Sequence, residues 1–292
     1  MSDDRSLKEK ALRELQWRKA KRDVHYACSN FWSIKVPGVG KQLLVPRDAQ
    51  AEAFDHWQKD RYSLTLKARQ IGWSTATAAF AWWESYFYSD RETLFISRGE
   101  REAQDLLAKV KYGLKYLPEW MQARGPKQLN DSKLRVDFSN GSSIISLPSA
   151  SDPARGSSAY RIVVDEWAFL PNAEEAWASI EPVADVGGRI TGLSTANGYG
   201  NFFHTLWVGA ETGTNQFVPM FHNWRAGGRS DAWYEEKKDA LPDWQLAQEY
   251  PDNPDEAFLK SGNPVFNLEA VRRQEANVDR PWVGHIYDGV RP

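Results

Sequence analysis

Residues 61–80, RYSLTLKARQIGWSTATAAF, carry the reading that decides the fold. An alternating run ending near Lys67 reads as a strand, and a breaker-free run of helix formers begins at Ser74. Between them Gly72 and Ser74 are spaced as in the phosphate-binding pattern G-x-x-x-x-G-K-[ST]. Aligned this way, Lys67 takes the first position of the pattern and Trp73 takes the lysine's. Backbone amides and the N-terminus of the following helix cradle phosphate without help from side chains. Ser74 keeps the hydroxyl that such loops give to Mg²⁺. Lys67, at the other end of the loop, has the reach to fold its ammonium back onto the β- and γ-phosphates, with Arg69 as a second cation. An ordinary strand–turn–helix with both cations solvated accounts for the same letters, so the rest of the chain must decide.

Working outward, residues 5–24 read as a helix, KVPGVGKQLLVP as turns with a short extended piece, and RDAQAEAFDHWQ as a second helix. After the phosphate loop and its helix, ETLFIS reads as a strand and EREAQDLLAKVKYGLKYL as a helix stopped by Pro118. KLRVDFSNGSSIISLP reads as a hairpin turning at Asn140-Gly141. YRIVVDEWAFLP, GGRITGLSTANG and FVPMFHNW supply three further strands. Strands alternating with helices predict an α/β fold whose mostly parallel sheet is covered on both faces. Ligands of such sheets bind beyond the carboxyl ends of the strands. Three polar clusters fall there: 67–75, 165–166 and 194–197.

In RIVVDEWAF, Asp165 and Glu166 directly follow three β-branched apolar residues. Two adjacent carboxylates at the end of a buried strand need cations or donors to offset repulsion and desolvation. ATPases use such a pair with the first acid in the Mg²⁺ shell and the second orienting and deprotonating the attacking water. A helix-capping Asp165 with an exposed Glu166 is the plainer reading; the phosphate loop upstream favours the catalytic one. In LSTANG, Ser194, Thr195 and Asn197 stand where a polar relay would sense the γ-phosphate, or where a plain turn would lie.

Composition narrows the class. The 292 residues are 41% hydrophobic and 26% charged, with 14 tryptophans, enough for one large α/β domain and a small appendage. No stretch approaches the ~18 consecutive apolar residues that a membrane span needs, and MSDDRSLKEKALREL is too polar for a secretory signal. The single cysteine, Cys28, excludes an internal disulfide and fits a reducing cytoplasm. The net charge of −2 gives no global basic field, but residues 5–24 carry eight Lys/Arg against three acids, and 231–256 are mostly acidic. The basic stretch suits phosphates, a partner or plain solvent. Trp82, Trp83, Tyr86 and Phe87 suit packing against the sheet better than base stacking. Lys109, Lys111 and Lys115 could meet DNA phosphates or water equally well.

Taken together these segments resemble the ATPase half of a phage terminase large subunit, over roughly residues 45–266. In that family the phosphate loop reads R-Q-x-G-[KRFYW]-[ST], matched by ARQIGWST, and some members carry the lysine at the loop's start, where Lys67 stands. The acid motif D-E-x-A-F, with an upstream RG, is matched by ARGSSAYRIVVDEWAFLP. The coupling motif S-T-P-N-G is matched by STANG, with Ala196 in place of proline, and EYPDNPDEAFLKSGNPVF resembles the segment that closes the ATPase region.

The resemblance implies a three-layer P-loop NTPase of RecA-like type. Its parts would be a basic N-terminal extension (1–44), an ATPase core (45–215), a small lid or linker subdomain (216–266) and the start of a linker to a nuclease domain (267–292). By motif position it implies a binding loop of Lys67, Ala68, Arg69, Gln70, Ile71, Gly72, Trp73, Ser74 and Thr75. Gln50, with Gln58 close by in sequence, would read the adenine. Ser74 and Asp165 would hold Mg²⁺, and Glu166 would activate water. Ser194, Thr195 and Asn197 would couple hydrolysis to movement, and Arg155 would serve as an arginine finger in a neighbouring subunit's site. It further implies MgATP hydrolysis in the host cytoplasm. The expected partners are double-stranded DNA, a portal protein, a small terminase subunit and a homo-oligomeric ring, with no membrane. Lys67→Ala would then abolish turnover and Trp73→Ala leave it largely intact. A helicase-like DNA-dependent ATPase, or a nucleotide-binding scaffold without turnover, are the competing readings.

Overall fold

In the computed structural model, which describes residues 2–130, 132–149, 159–185 and 187–261, the strand that opens the phosphate loop lies deep inside a sheet. Helices α1 (Ser2–Arg22) and α2 (Val24–Phe31) lead into a separate hairpin of β1 (Ser33–Val36) and β2 (Gly40–Leu43). Helix α3 (Asp48–Lys59) precedes β3 (Tyr62–Lys67), and α4 (Trp73–Phe87) follows it. Then come β4 (Glu92–Ser97), α5 (Glu100–Lys115), α6 (Glu119–Arg124), β5 (Arg135–Asp137) and β6 (Ser143–Pro148). The chain continues through β7 (Arg161–Asp165), α7 (Ala173–Asp185), β8 (Arg189–Ser194), α8 (Phe202–Glu211) and β9 (Val218–His222). Three short helices, α9 (Asp231–Ala240), α10 (Asp243–Glu249) and α11 (Pro254–Lys260), complete the described part.

Seven strands form one sheet in the order β5-β6-β4-β7-β8-β3-β9, parallel throughout except for the β5–β6 hairpin predicted around Asn140-Gly141. One core packs α2, α3, α4, α5 and α6 on one face, with Trp82, Trp83, Tyr86 and Phe87 all buried in it. A second core, around Trp167, Phe203 and Trp207, lies under α7 and α8. The mostly parallel, helix-covered sheet read from the sequence is therefore what the chain forms. Two local differences are instructive. Every residue of β3 is buried, so its alternation of Ser63 and Thr65 with Leu64 and Leu66 does not mark a solvent face. Ser63 instead bonds Thr191 on β8 inside the sheet. The helix predicted over 5–24 ends at Arg22, because Asp23 turns extended and its carboxylate accepts the Tyr26 amide at 2.9 Å, capping α2.

At the amino ends of the strands, away from the polar clusters, Arg161 and Glu84 form a pair with side chains only 2% and 3% exposed. Arg161 donates to both Glu84 oxygens at 2.8 and 2.9 Å, to Thr191 Oγ1 at 2.9 Å and to the Trp57 carbonyl at 2.7 Å, tying α3, α4, β7 and β8 together. Removing one partner strands the other's charge in the core. Glu84→Ala is expected to cost about 3–5 kcal/mol, read as a lower urea midpoint; a loss under about 1 kcal/mol would show that the pair is solvated on removal.

Candidate functional site

All three polar clusters converge at the carboxyl ends of β3, β7 and β8. The loop after β3 is fixed from outside. Arg229 Nη2 donates to the Arg69 carbonyl at 3.1 Å, Arg47 Nη1 to the Ile71 carbonyl at 3.2 Å, and Gln50 Nε2 to the Gly72 carbonyl at 2.9 Å. The Ala68 amide is bonded to His222 and the Arg69 amide to Glu249. Among the described residues, the amides of Gln70, Ile71 and Gly72 donate to no protein acceptor. Together with the first-turn amides of α4, they leave a set of donors suited to an anion. Gly72 caps α4 with φ +90°, and a Cβ there would meet Gln50 Nε2 at 2.7 Å, so only glycine serves.

Trp73 turns away from this loop. Its indole is 3% exposed and packs edge-on to Trp57 at 5.7 Å and against His222 at 5.1 Å. Truncating it would leave a core cavity costing about 3–5 kcal/mol, so Trp73→Phe is the change that isolates the loop's chemistry. Lys67 does point into the site. Although only 5% of the residue is exposed, its Nζ donates to Glu166 Oε1 at 2.7 Å. Arg69 is held by Glu249 of α10 at 2.9 and 3.0 Å, a grip that keeps its guanidinium well protonated.

Glu166 adopts a left-handed backbone, φ 51° and ψ 47°, unusual for a side chain of its size and a form of strain that concentrates at functional sites. Its Oε2 accepts from both the amide (3.2 Å) and the hydroxyl (3.3 Å) of Thr195. Burial pushes this carboxyl up, but the Lys67 ammonium and the Thr195 donors outweigh it and hold Glu166 below the usual carboxylate range. Asp165 goes the other way: burial, then the neighbouring Glu166 charge, push its carboxyl up to about 6. Its Oδ2 lies 3.3 Å from Ser74 Oγ, and its Oδ1 is buried with no partner. Two hard oxygen ligands, one of them a carboxylate with a whole oxygen unclaimed, fit Mg²⁺, which is held by few protein groups and completes its shell with water and phosphate. No cluster of three or more acids, histidines or cysteines suited to another metal occurs among the described residues.

The third cluster grips the second. Ser194 Oγ accepts the Ala168 amide at 3.1 Å, and Asn197 Nδ2 donates to the Ala168 carbonyl at 3.0 Å. Ser194, Thr195 and Asn197 thus all hold the segment carrying Glu166. Gln50 is 4% exposed; its Nε2 serves the loop and its Oε1 accepts the Arg47 amide at 3.1 Å, while Gln58 bonds its own helix. Thr75 is half-buried, one residue along α4 from Ser74. Arg155 lies outside the described residues.

Sequence reasoning missed several neighbours. A cleft of about 230 Å³ is lined by Arg69, Asp165, Glu166 and Thr195, and also by Ser97, Arg98, Glu102, Phe169 and Glu249. Ser97 ends β4 and Arg98 directly follows it, so the rule that flagged the other clusters applied to them too. Arg47, Arg229 and Glu249 carried no local signal, being brought in by distant segments.

The family model described as "Terminase large subunit, T4likevirus-type, N-terminal" matches residues 64–261. Among solved structures, the large terminase ATPase domain of Thermus phage P74-26 is 21% identical with TM-score 0.58, covering 70% of this chain and 92% of that one. The large terminase of bacteriophage HK97 is 12% identical with TM-score 0.64, covering 86% of this chain and 58% of that one. The large terminase of a thermophilic bacteriophage, solved in complex with ADP, is 11% identical with TM-score 0.54, covering 70% and 52%. At these identities the structures speak for the fold alone. The family match extends over most of the chain and takes in residues 67–75, 165–166 and 194–197, so this chain belongs to the T4likevirus-type terminase large subunits, in their N-terminal region.

Proposed function

We propose that this chain is the ATPase motor domain of its terminase, hydrolysing MgATP to drive double-stranded DNA into a procapsid. The observation that carries the reading is the Lys67–Glu166–Thr195 chain, set beside a phosphate loop whose carbonyls are tied back and whose amides are free. The thermophilic relative's large terminase was solved in complex with ADP, which supports nucleotide binding by this fold.

Loop amides would hold the β- and γ-phosphates, with the Lys67 ammonium against their charge. Ser74 and Asp165 would hold Mg²⁺, which when bound neutralises charge on the phosphate oxygens. Glu166, ionised at neutral pH, would orient the attacking water and accept its proton. Arg69 meets Glu249 through Nη1 alone, so its Nε and Nη2 would be the donors left to touch a phosphate. Gln50 sets the loop's shape, and an adenine contact would add to that duty. Ser194, Thr195 and Asn197 link Glu166 to β8 and would carry a change at the γ-phosphate into the fold. A trans-acting arginine, with Arg155 as candidate, would complete the site in a homo-oligomeric ring. Portal protein and small terminase subunit would be its partners in the host cytoplasm.

The test is phosphate release by the wild-type chain under conditions that assemble the ring. Mg²⁺-dependent turnover, stimulated by duplex DNA and lost on chelation, is expected. Background release in both wild type and Glu166→Ala would favour a nucleotide-binding scaffold.

A further inference from the structure

Two of the three cations nearest the cleft are already engaged by carboxylates: Lys67 by Glu166 and Arg69 by Glu249. Arg98 is not. It lines the same cleft, it is exposed, and no carboxylate pairs with it among the described residues. Its place is set by the sheet. β4 runs parallel to β7 with Ile96 beside Val164. Continuing that register by one residue sets Ser97, the last residue of β4, beside Asp165; Arg98 follows it directly, and Glu166 leaves the end of β7 in a left-handed turn. Lys67 reaches Glu166 from the β3 side, two strands away through β8. Arg98 therefore flanks the paired acids on the side opposite the phosphate loop.

The charges in the cleft make this position consequential. Asp165, Glu166, Glu102 and Glu249 all line it, against Arg69 and Arg98. A triphosphate entering there meets a carboxylate-rich wall, and charge building on its terminal oxygens needs a donor not already neutralised. A guanidinium suits that task because its planar fork holds phosphate oxygens in pairs.

We propose that Arg98 is a further catalytic residue, a cation supplied in cis that contacts the γ-phosphate across the cleft from Lys67. This inference rests on the ATPase reading given above. It assigns to the end of β4 the discrimination between nucleoside triphosphate and diphosphate.

The test uses the full chain carrying Arg98→Ala or Arg98→Lys. Phosphate release is measured together with the affinity for a fluorescent non-hydrolysable ATP analogue and its ADP counterpart. Arg98→Ala is expected to lower kcat on the order of 10²-fold and to weaken the ATP analogue while leaving ADP binding and the melting temperature unchanged. Arg98→Lys, which keeps the charge but loses the fork, should recover part of the rate. Wild-type turnover in Arg98→Ala, or a defect confined to duplex DNA binding, overturns the proposal and leaves the ATPase reading standing. A wild-type chain that neither binds nor hydrolyses MgATP removes both.

Discussion

Lys67→Ala is expected to lower MgATP turnover by at least about 10³-fold, while Trp73→Phe keeps most of it. Two effects compound in the alanine variant. The phosphates lose the ammonium that stands in the site, and Glu166 loses the charge that holds its carboxyl down. Burial is the largest influence on Glu166 and acts upward; without Lys67 the Thr195 donors and the more distant Arg69 charge are left to oppose it. Its carboxyl would then shift upward, so the residual rate should climb with pH more steeply than in wild type. Because the two side chains touch at 2.7 Å, their losses should not add. Lys67→Ala combined with Glu166→Ala is expected to be no slower than the worse single variant. Phosphate release at saturating MgATP measures this, with a thermal melt confirming that each variant folds. A Lys67→Ala rate within tenfold of wild type, or a larger loss in Trp73→Phe, would refute the relocated cation.

That loop was legible because strand, turn and helix were written in consecutive residues. The same holds for β7 with its terminal acids, for β8 with LSTANG, and for the Asn140-Gly141 hairpin: each is a short-range pattern whose consequence is local. The sheet's type followed from the alternation of elements. Its order did not, since which strands lie side by side depends on how distant segments share two cores. The same limit hid Arg229, Arg47 and Glu249. Their guanidinium and carboxylate groups look like ordinary surface charges until the chain brings them to the loop from 24 to 180 residues away. Trp73 was ambiguous for a different reason. At a helix N-terminus one residue can face either the loop or the core, and the aromatic rings of Trp57 and His222 settle it. Asp23 shows the reverse case, a break inside a helical pattern made by a side-chain cap that period counting passes over.

Asp165→Asn is expected to abolish Mg²⁺-dependent turnover yet make the metal-free fold more stable at neutral pH. The native carboxyl is pushed up to about 6, first by burial and then by Glu166, and one of its oxygens is buried without a partner. An unfolded aspartate releases its proton near pH 4. Between roughly pH 4 and 6 the folded chain therefore binds more protons than the unfolded one, so this residue's contribution to stability falls as pH rises through that window. Below the window the acid is neutral in both states and its replacement should matter little. Above it, ionised Asp165 costs the metal-free fold about 1–2 kcal/mol, allowing for partial solvation. The amide carries no charge, so the variant should melt several degrees higher than wild type at pH 7.5, with the gap narrowing steadily as the pH falls toward 4. Adding Mg²⁺ with a non-hydrolysable ATP analogue should reverse the order, since only the carboxylate draws net stability from the ion. A variant that melts below wild type at pH 7.5 without metal, or a gap that widens toward acid, would mean Asp165 is a structural anchor. The expected pattern instead makes it a residue kept at a cost to the empty fold because the loaded site needs its charge.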